Sequence, residues 1–287
     1  MVIDISQAFE VLPPPIDFIW PGFIAGTVGA LVAPGATGKS YWALQAAMSV
    51  ACHVPDGDLL GLEPNKPGKV HYLAGEDPIP VLQHRIHAIG RHLNADARNA
   101  IATNLAIESL VGQKLDLMDK AQLTTLIDKN RGSRLIVLDT LSRIHHLDEN
   151  SNGDMGSLIV ALEQLADQTG AGVLFLHHAS KSSAREGMLD HQHAARGASA
   201  IVEQSRWASY LSKMTEVEAK RLTENNGKHS LGSHYAARFV RFGVSKVNYD
   251  AMPSDKWFER HEGGVLRPVR LLEAAYAPKT SQRRDTL

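Results

Sequence analysis

The sequence predicts a mixed α/β fold, with a mostly parallel central sheet flanked by helices and antiparallel strands toward the C-terminus. In the first part of the 287-residue chain, short apolar runs alternate with stretches of helical period. These apolar runs are continuous, which is typical of parallel strands buried on both faces. From Arg206 onward, strand-like segments follow one another with turns between them, which favours antiparallel pairing.

Strands and helices alternate along the predicted parallel part. In chain order they are the strand "TVGALVA", a helix over 39–52, the strand "KVHYLAG", a helix over 79–93, the strand "RLIVLDT", a helix over 158–167 and the strand "AGVLFLHH". Three segments follow that we predict to be antiparallel strands, namely "WASYLS", "YAARFVRFGVSKVNY" and "KWFERHEGGVLRPV".

We expect one domain with an extension at each end. Residues 1–22 contain three consecutive prolines, which favour an extended backbone. This N-terminal arm is either a plain lead-in or a segment that packs on a neighbouring subunit. Residues 23–275 form the predicted domain, and the polar, basic residues 276–287 are predicted to be a flexible tail.

The composition is that of an intracellular globular protein. Cys52 is the only cysteine, so a reducing cytoplasm is the expected setting. No export signal is visible at the N-terminus, and the longest apolar run, 23–33, is too short to cross a bilayer, so we expect no membrane association. A formal net charge of −1 argues against a uniformly basic coat for nucleic acid, but not against a basic ring lumen.

The stretch "LVAPGATGKSYWALQ" is a candidate phosphate-binding loop. Gly38, Lys39 and Ser40 match the pattern, but Ala33 stands where its first glycine is expected. A strand before the loop and a helix after it would place several N–H groups around an anion. Lys39 is expected to reach the phosphates and Ser40 to hold Mg²⁺. The nucleotide-binding candidates here are Ala33, Pro34, Gly35, Ala36, Thr37, Gly38, Lys39 and Ser40.

Carboxylates follow two of the predicted strands. Asp139 ends "RLIVLD", at the sheet edge where α/β folds bind ligands, and it suits the second Mg²⁺ partner. Glu76 follows "VHYLAG" and is the candidate base for the attacking water, with Asp77 as the alternative. Asp77 could instead cap the helix that follows it.

A pair of histidines ends the strand "VLFLHH". Successive side chains of a strand point to opposite faces, so His177 and His178 are not expected to bind one metal ion. One of the two is expected to face the nucleotide.

Taken together, "VAPGATGKS", "LAGEDP", "VLDT" and "LFLHHASK" resemble the RecA-like ATPase core. More closely, with "QHRIHAIG", "RGASAIVEQSRWASYLS" and "WFERHEGGVLRP", they resemble the ring-shaped replicative helicases of broad-host-range plasmids, the RepA type. The resemblance covers nearly the whole chain and includes the missing glycine. It implies a homohexamer that hydrolyses ATP or another NTP with Mg²⁺ and moves 5′ to 3′ on single-stranded DNA. A plasmid primase or initiator protein is a further candidate partner.

The resemblance also implies roles for individual residues. Glu76 would be the base and His178, the second of the pair, would sense the γ-phosphate, while Arg85 would lie near the nucleotide. Arg206 and Arg260 are the candidates for an arginine finger, Arg260 being presented to the neighbour's nucleotide. The alternative for either arginine is a surface residue. Tyr249 is a candidate for contact with the nucleotide or the adjacent subunit, as is Lys246.

DNA contact is predicted for the segment between His178 and Gly197. It carries Lys181, Arg185 and Arg196, and a few cations repeated around a ring would form a basic funnel. The segment 145–156 is the second candidate, although its acids argue against phosphate contact. Surface loops without function are the alternative for both.

Two other functions stay open. One is a RecA- or KaiC-like ATPase that acts as a recombinase or regulator. The other is an ATP-gated factor that loads DNA or a partner without unwinding. The set of Lys39, Glu76 and Asp139 argues for hydrolysis but does not distinguish these functions from a helicase.

Overall fold

The computed structural model describes residues 2–179, 200–224, 229–249 and 254–274. Its strands are β1 (Phe18–Trp20), β2 (Phe23–Ile24), β3 (Val28–Ala33), β4 (Val70–Ala74), β5 (Leu105–Ser109), β6 (Leu135–Asp139), β7 (Gly172–His178), β8 (Trp207–Lys213), β9 (Leu222–Glu224), β10 (Phe239–Val247), β11 (Lys256–Arg260), β12 (Leu266–Val269) and β13 (Leu271–Glu273). The main sheet has nine strands in the order β12-β11-β10-β8-β3-β7-β6-β4-β5. The predicted α/β class is therefore confirmed.

Helices cover both faces of this sheet. They are α1 (Ile5–Glu10), α2 (Lys39–Ala51), α3 (Ile79–Gly90), α4 (Ala95–Asn104), α5 (Lys120–Lys129), α6 (Asn152–Thr169), α7 (Ala200–Gln204) and α8 (Glu216–Arg221). One apolar core lies around Trp42 of α2 and the other around Leu162 of α6. Because β3, β4 and β6 lie between these cores, every residue in them is buried.

The strand β8 joins the two parts of the sheet. It pairs parallel to β3 and antiparallel to β10. The prediction that "WASYLS" is antiparallel therefore holds for only one of its two neighbours. All of β8 except Lys213 is buried, so its apolar pattern carries no sign of its direction.

The N-terminal arm is shorter than the sequence suggested. Ile19 and Trp20 lie in β1 and are buried in the core, and the Asp17 carboxylate accepts hydrogen bonds of 2.7 and 2.9 Å from Arg134. The exposed part of the arm therefore ends near Ile16. The predicted tail, 276–287, lies outside the described residues.

Other differences involve weak sequence signals. The helix α6 begins at Asn152, six residues before the predicted start, and the Ser151 hydroxyl accepts from the Asp154 amide at 3.3 Å. The edge strand β5 is only partly buried and was not predicted. In the described residues, no helix has the length and apolar character needed to cross a membrane.

Candidate nucleotide-binding site

The loop between β3 and α2 has the geometry of an anion cradle. Gly38 has φ +102° and directly precedes α2, whose first amides have no side-chain cap. Ala36 also has a positive φ, 55°, and the Thr37 hydroxyl donates to the Pro34 carbonyl at 2.8 Å. Uncapped amides at a helix start, preceded by a tightly turned loop, favour a bound phosphate. The Ala33 that replaces a glycine is buried at the end of β3 and has no unusual backbone conformation.

Lys39 lies across this loop and is almost fully buried. Its Nζ donates to the Ala33 carbonyl at 3.2 Å and lies 3.1 Å from His178 Nδ1. Burial lowers the pKa of Lys39, and the charges of Asp139 and Glu76 oppose that shift. The ammonium is thus held in a low-dielectric site where an additional anion would stabilise its charged form.

Strand register brings the acids and the histidine to the same edge. Ala33 is paired with His178 across β3 and β7, and Ala74 with Asp139 across β4 and β6. Glu76 follows β4 by two residues, and its Oε1 lies 3.8 Å from His178 Nε2. The carboxyl ends of these parallel strands therefore converge on the loop, as expected for a ligand site in an α/β sheet. A cleft of about 300 Å³ lies between them.

Asp139 is the residue best placed to hold a cation. The Tyr72 hydroxyl donates to its Oδ2 at 2.5 Å, whereas its buried Oδ1 has no hydrogen-bond partner among the described residues. Burial raises the pKa of Asp139, and hydrogen bonds from Tyr72 and Ser40 act in the opposite direction. A buried carboxylate with one free oxygen beside a serine hydroxyl is a fitting donor set for Mg²⁺.

Sequence reasoning missed Tyr72, although one signal was available. A tyrosine interrupts the aliphatic strand "VHYLA", and it lies two residues before Ala74, on the same face. A buried tyrosine hydroxyl needs a polar partner, and the acid at the end of the neighbouring strand supplies one.

Arg85 borders the same cleft. Its guanidinium makes a bidentate ion pair with Asp77, including Nη2 to Oδ1 at 3.1 Å, and it lies over the Tyr41 ring at 5.1 Å from the centroid. Asp77 is therefore engaged with Arg85, while Glu76 has an exposed side chain open to the cleft.

Arg260 contacts the loop of its own chain. Its Nη2 donates to the Thr37 carbonyl, and a Cβ at Gly38 would lie 3.1 Å from Nη1. The expectation that Arg260 is presented to a neighbour's nucleotide is corrected here, because β11 ends beside the loop that β3 leads into. The contact also explains why the loop needs a glycine at 38 in addition to the positive φ.

Arg206 lies at the opposite edge of the sheet. Its amide donates to the Val28 carbonyl at the start of β3, and its side chain is exposed. The six residues of β3 separate it from its own loop, which is roughly 20 Å at about 3.3 Å per residue. Tyr249, just beyond β10, lies at this edge too, so neither residue reaches the nucleotide loop of its own chain.

The two predicted DNA segments differ in what the structure describes. Lys181, Arg185 and Arg196 lie outside the described residues. The segment 145–156 is described, but it is more ordered than a free loop because its last residues, from Asn152, form the first turns of α6. His145 in this segment is buried, and the Leu147 amide donates to its Nδ1 at 3.2 Å.

With this geometry established, comparison with known proteins identifies the family. The AAA domain family matches residues 3–184. The chain belongs to this family. The matched part contains the loop, Glu76, Asp139 and His178, whereas Arg206 and Arg260 lie beyond it.

Solved structures confirm the fold. The chain is similar to the ATPase domain of a replicative helicase, with 14% identity and a TM-score of 0.58 over 93% of this chain and 96% of that chain. It is also similar to the RadB recombinase, with 13% identity and a TM-score of 0.51 over 85% of this chain and 90% of that chain. At such low identity these likenesses concern the fold, which is that of a RecA-like ATPase.

Proposed function

We propose that the chain hydrolyses ATP or another NTP at the loop of residues 33–40. Lys39 and the loop amides bind the phosphates, and the Ser40 hydroxyl and the free Asp139 oxygen hold Mg²⁺. Bound there, Mg²⁺ would neutralise phosphate charge. The Tyr72 hydroxyl keeps the Asp139 carboxylate facing Ser40.

Glu76 and His178 act on the reacting end of the nucleotide. Glu76 is open to solvent in the cleft and can take a proton from the attacking water. His178 lies between Lys39 and Glu76, so it contacts the γ-phosphate and responds to its loss. Arg85, fixed by Asp77 and Tyr41, and Arg260, fixed by Thr37, add positive charge at the rim of the cleft.

The observation that carries the proposal further is the position of Arg206. It lies at the far edge of the sheet, with Lys246 near enough for the Arg206 charge to add to the effect of burial in lowering the Lys246 pKa. Two cations placed together at an edge without its own nucleotide loop would be stabilised by a neighbour's phosphates. We propose that Arg206 completes the site of the adjacent subunit, so that hydrolysis requires assembly.

The assembly we propose is a ring hexamer that translocates on single-stranded DNA as a replicative helicase. The support is the resemblance of the sequence motifs to ring-shaped plasmid helicases, which also implies 5′ to 3′ movement and recruitment by a primase or initiator protein. Lys181, Arg185 and Arg196 are the proposed DNA contacts in the channel, and Tyr249 is proposed to contact the neighbour's nucleotide.

A second function is favoured by one comparison. The likeness to the RadB recombinase has nearly the same extent as that to the helicase ATPase domain. A recombinase, regulator or DNA-loading factor would use the same nucleotide site but would form filaments or load DNA without unwinding it.

One experiment separates these functions. ATPase rate is measured against protein concentration, with and without single-stranded DNA, while light scattering gives the mass and a forked duplex reports unwinding. We expect a sixfold mass, DNA-stimulated turnover and displacement of a strand with a 5′ tail on the translocated strand. Filaments, or turnover without displacement, would support the second function, and a monomer with full turnover would contradict both the ring and the role of Arg206.

A further inference from the structure

The N-terminal arm exposes an apolar face that the rest of the chain leaves uncovered. No residue of α1 is buried, and Phe9 and Leu12 are 84% and 91% exposed. Ile5 and Phe9 are four residues apart and therefore share one side of the helix. Exposed apolar residues scattered singly need no explanation, but a helix whose apolar side is wholly exposed indicates a contact surface.

A cleft of about 370 Å³ elsewhere on the molecule has matching chemistry. It lies between α2, α3, α4 and β5, and its floor is apolar. The apolar lining includes Met48, Ile86, Leu93, Ile101 and Ile107. His87, Arg91 and Arg98 contribute to the same lining, so positive charge borders the apolar floor.

The charges of the arm complement those of the cleft. Residues 2–16 contain two acids, Asp4 and Glu10, and no lysine, arginine or histidine. Asp4 is used within the arm, where its carboxylate accepts from the Gln7 amide at 3.1 Å. Glu10 is exposed at the end of α1, one residue from Phe9. Of the two cleft arginines, Arg91 pairs with Glu262 at 3.4 Å, which leaves Arg98 as the better partner for Glu10.

We propose that the arm of one copy docks into this cleft on the next copy, with Phe9 on the apolar floor and Glu10 facing Arg98. An amphipathic helix seated in an apolar groove is a common mode of recognition. The prolines at 13–15 act as a stiff spacer between α1 and the anchor at Asp17, whose ion pair with Arg134 fixes where the arm leaves the body.

The contact is head-to-tail, because arm and cleft are different surfaces of the chain. Such a contact gives a closed ring or an open filament, depending on the rotation between copies. The inference thus rests on the proposed assembly and names one device that holds it together. It does not depend on DNA unwinding.

Cross-linking of two different variants tests the contact between copies. One chain carries Phe9→Cys and the other Ala102→Cys, since Ala102 lies at the cleft and is exposed. We expect a covalent dimer when the two chains are mixed under oxidation, and none from either chain alone, where Cys52 serves as the internal control. No cross-link in the mixture would overturn the proposal. Efficient intramolecular cross-linking in a chain that carries both substitutions, at high dilution, would place the arm in its own cleft and overturn it as well.

Assembly measurements give a second readout. Phe9→Ser is expected to raise the dissociation constant of assembly at least about tenfold, because a buried phenyl ring is lost. The matched control is Val160→Ser, an exposed apolar residue on α6, which should change nothing. Glu10→Arg and Arg98→Glu should each weaken assembly, and the double variant should recover it.

The outcomes separate this inference from the proposed function. If the wild-type chain assembles and Phe9→Ser assembles equally well, only the arm contact is wrong. If the wild-type chain stays monomeric, both are wrong. If the arm variants dissociate but the intact assembly shows no DNA-stimulated turnover, the arm contact stands and the motor function is wrong.

Discussion

Two arginines at opposite edges of one sheet show how the same side chain acquires different roles. Arg260 ends β11 and donates to the loop of its own chain, where it lies against Gly38. Arg206 precedes β8 at the other edge, beside Lys246 and the length of β3 from that loop. Arg260 can therefore serve the nucleotide bound by its own subunit, and Arg206 can serve only that of another molecule.

The difference arises from strand direction. The residues that bind phosphate and Mg²⁺ lie where parallel strands end. Because β8 is parallel to β3, its start lies at the opposite edge, whereas β11 is antiparallel to β10 and ends at the loop. The comparison predicts that loss of Arg206 affects turnover and loss of Arg260 affects binding.

The largest expected effect is that of Arg206→Ala. Without an arginine at the neighbour's γ-phosphate, kcat should fall on the order of a thousandfold, as for arginine fingers in other nucleotide hydrolases. Nucleotide affinity should change little, because the residue is distant from its own loop. Steady-state turnover and binding of a fluorescent nucleotide measure the two separately. Unchanged turnover in an intact assembly would remove Arg206 from the site.

Arg260→Ala should affect binding. Loss of a charged hydrogen-bonding group at the loop costs about 1.5–3 kcal/mol, which is roughly ten- to a hundredfold in nucleotide affinity. The effect should be the same in dilute and in assembled protein. Arg238→Ala, which removes an exposed arginine paired with Glu259, is the matched control. An effect of Arg260→Ala that appears only in assembled protein would restore the role across the interface.

Tyr72→Phe tests the support of Asp139 at the loop edge. The change removes the hydrogen bond to Oδ2, so the Mg²⁺ concentration needed for half-maximal nucleotide binding should rise about tenfold, as for other residues that orient metal ligands. Tyr210→Phe, whose hydroxyl donates to Asp255 at 2.9 Å, is the control. An unchanged Mg²⁺ requirement would show that Asp139 does not need Tyr72.

The smallest effect concerns stability. Burial holds the pKa of Lys39 below its usual 10.5, so the charged form is disfavoured in the folded protein. This penalty is complete below the lowered pKa and disappears as pH rises through it toward 10.5. Lys39→Met should therefore raise the melting temperature at pH 7 by about 2–4 °C per kcal/mol relieved, and less at higher pH. A difference independent of pH would mean that burial of the charge is not the cause.

The sequence predicted the parts of the site that depend on local order. Lys39, Ser40, Glu76 and Asp139 each lie at or shortly after the end of an apolar strand, and such an end can be recognised in the sequence alone. These strands are the ones that the structure places next to one another around β3.

Contacts between distant parts of the chain were not predictable in this way. Tyr72 meets Asp139 across 67 residues, and Arg260 meets Thr37 across 223. Their contacts depend on which strands are neighbours and on the direction of β8 and β11, which a buried apolar pattern does not specify. The shared position of Arg206 and Tyr249 has the same origin.

The most direct test of the account mixes two inactive variants. In a ring of Arg206→Ala and Lys39→Ala chains, an intact Arg206 can face an intact loop at some interfaces, so random mixing should restore roughly a quarter of the sites. A mixture of Arg260→Ala and Lys39→Ala should restore none, because each chain then carries a defect in its own site. Recovery in the first mixture alone is the predicted result, and no recovery in the first, or equal recovery in both, would contradict the assignment of the two arginines.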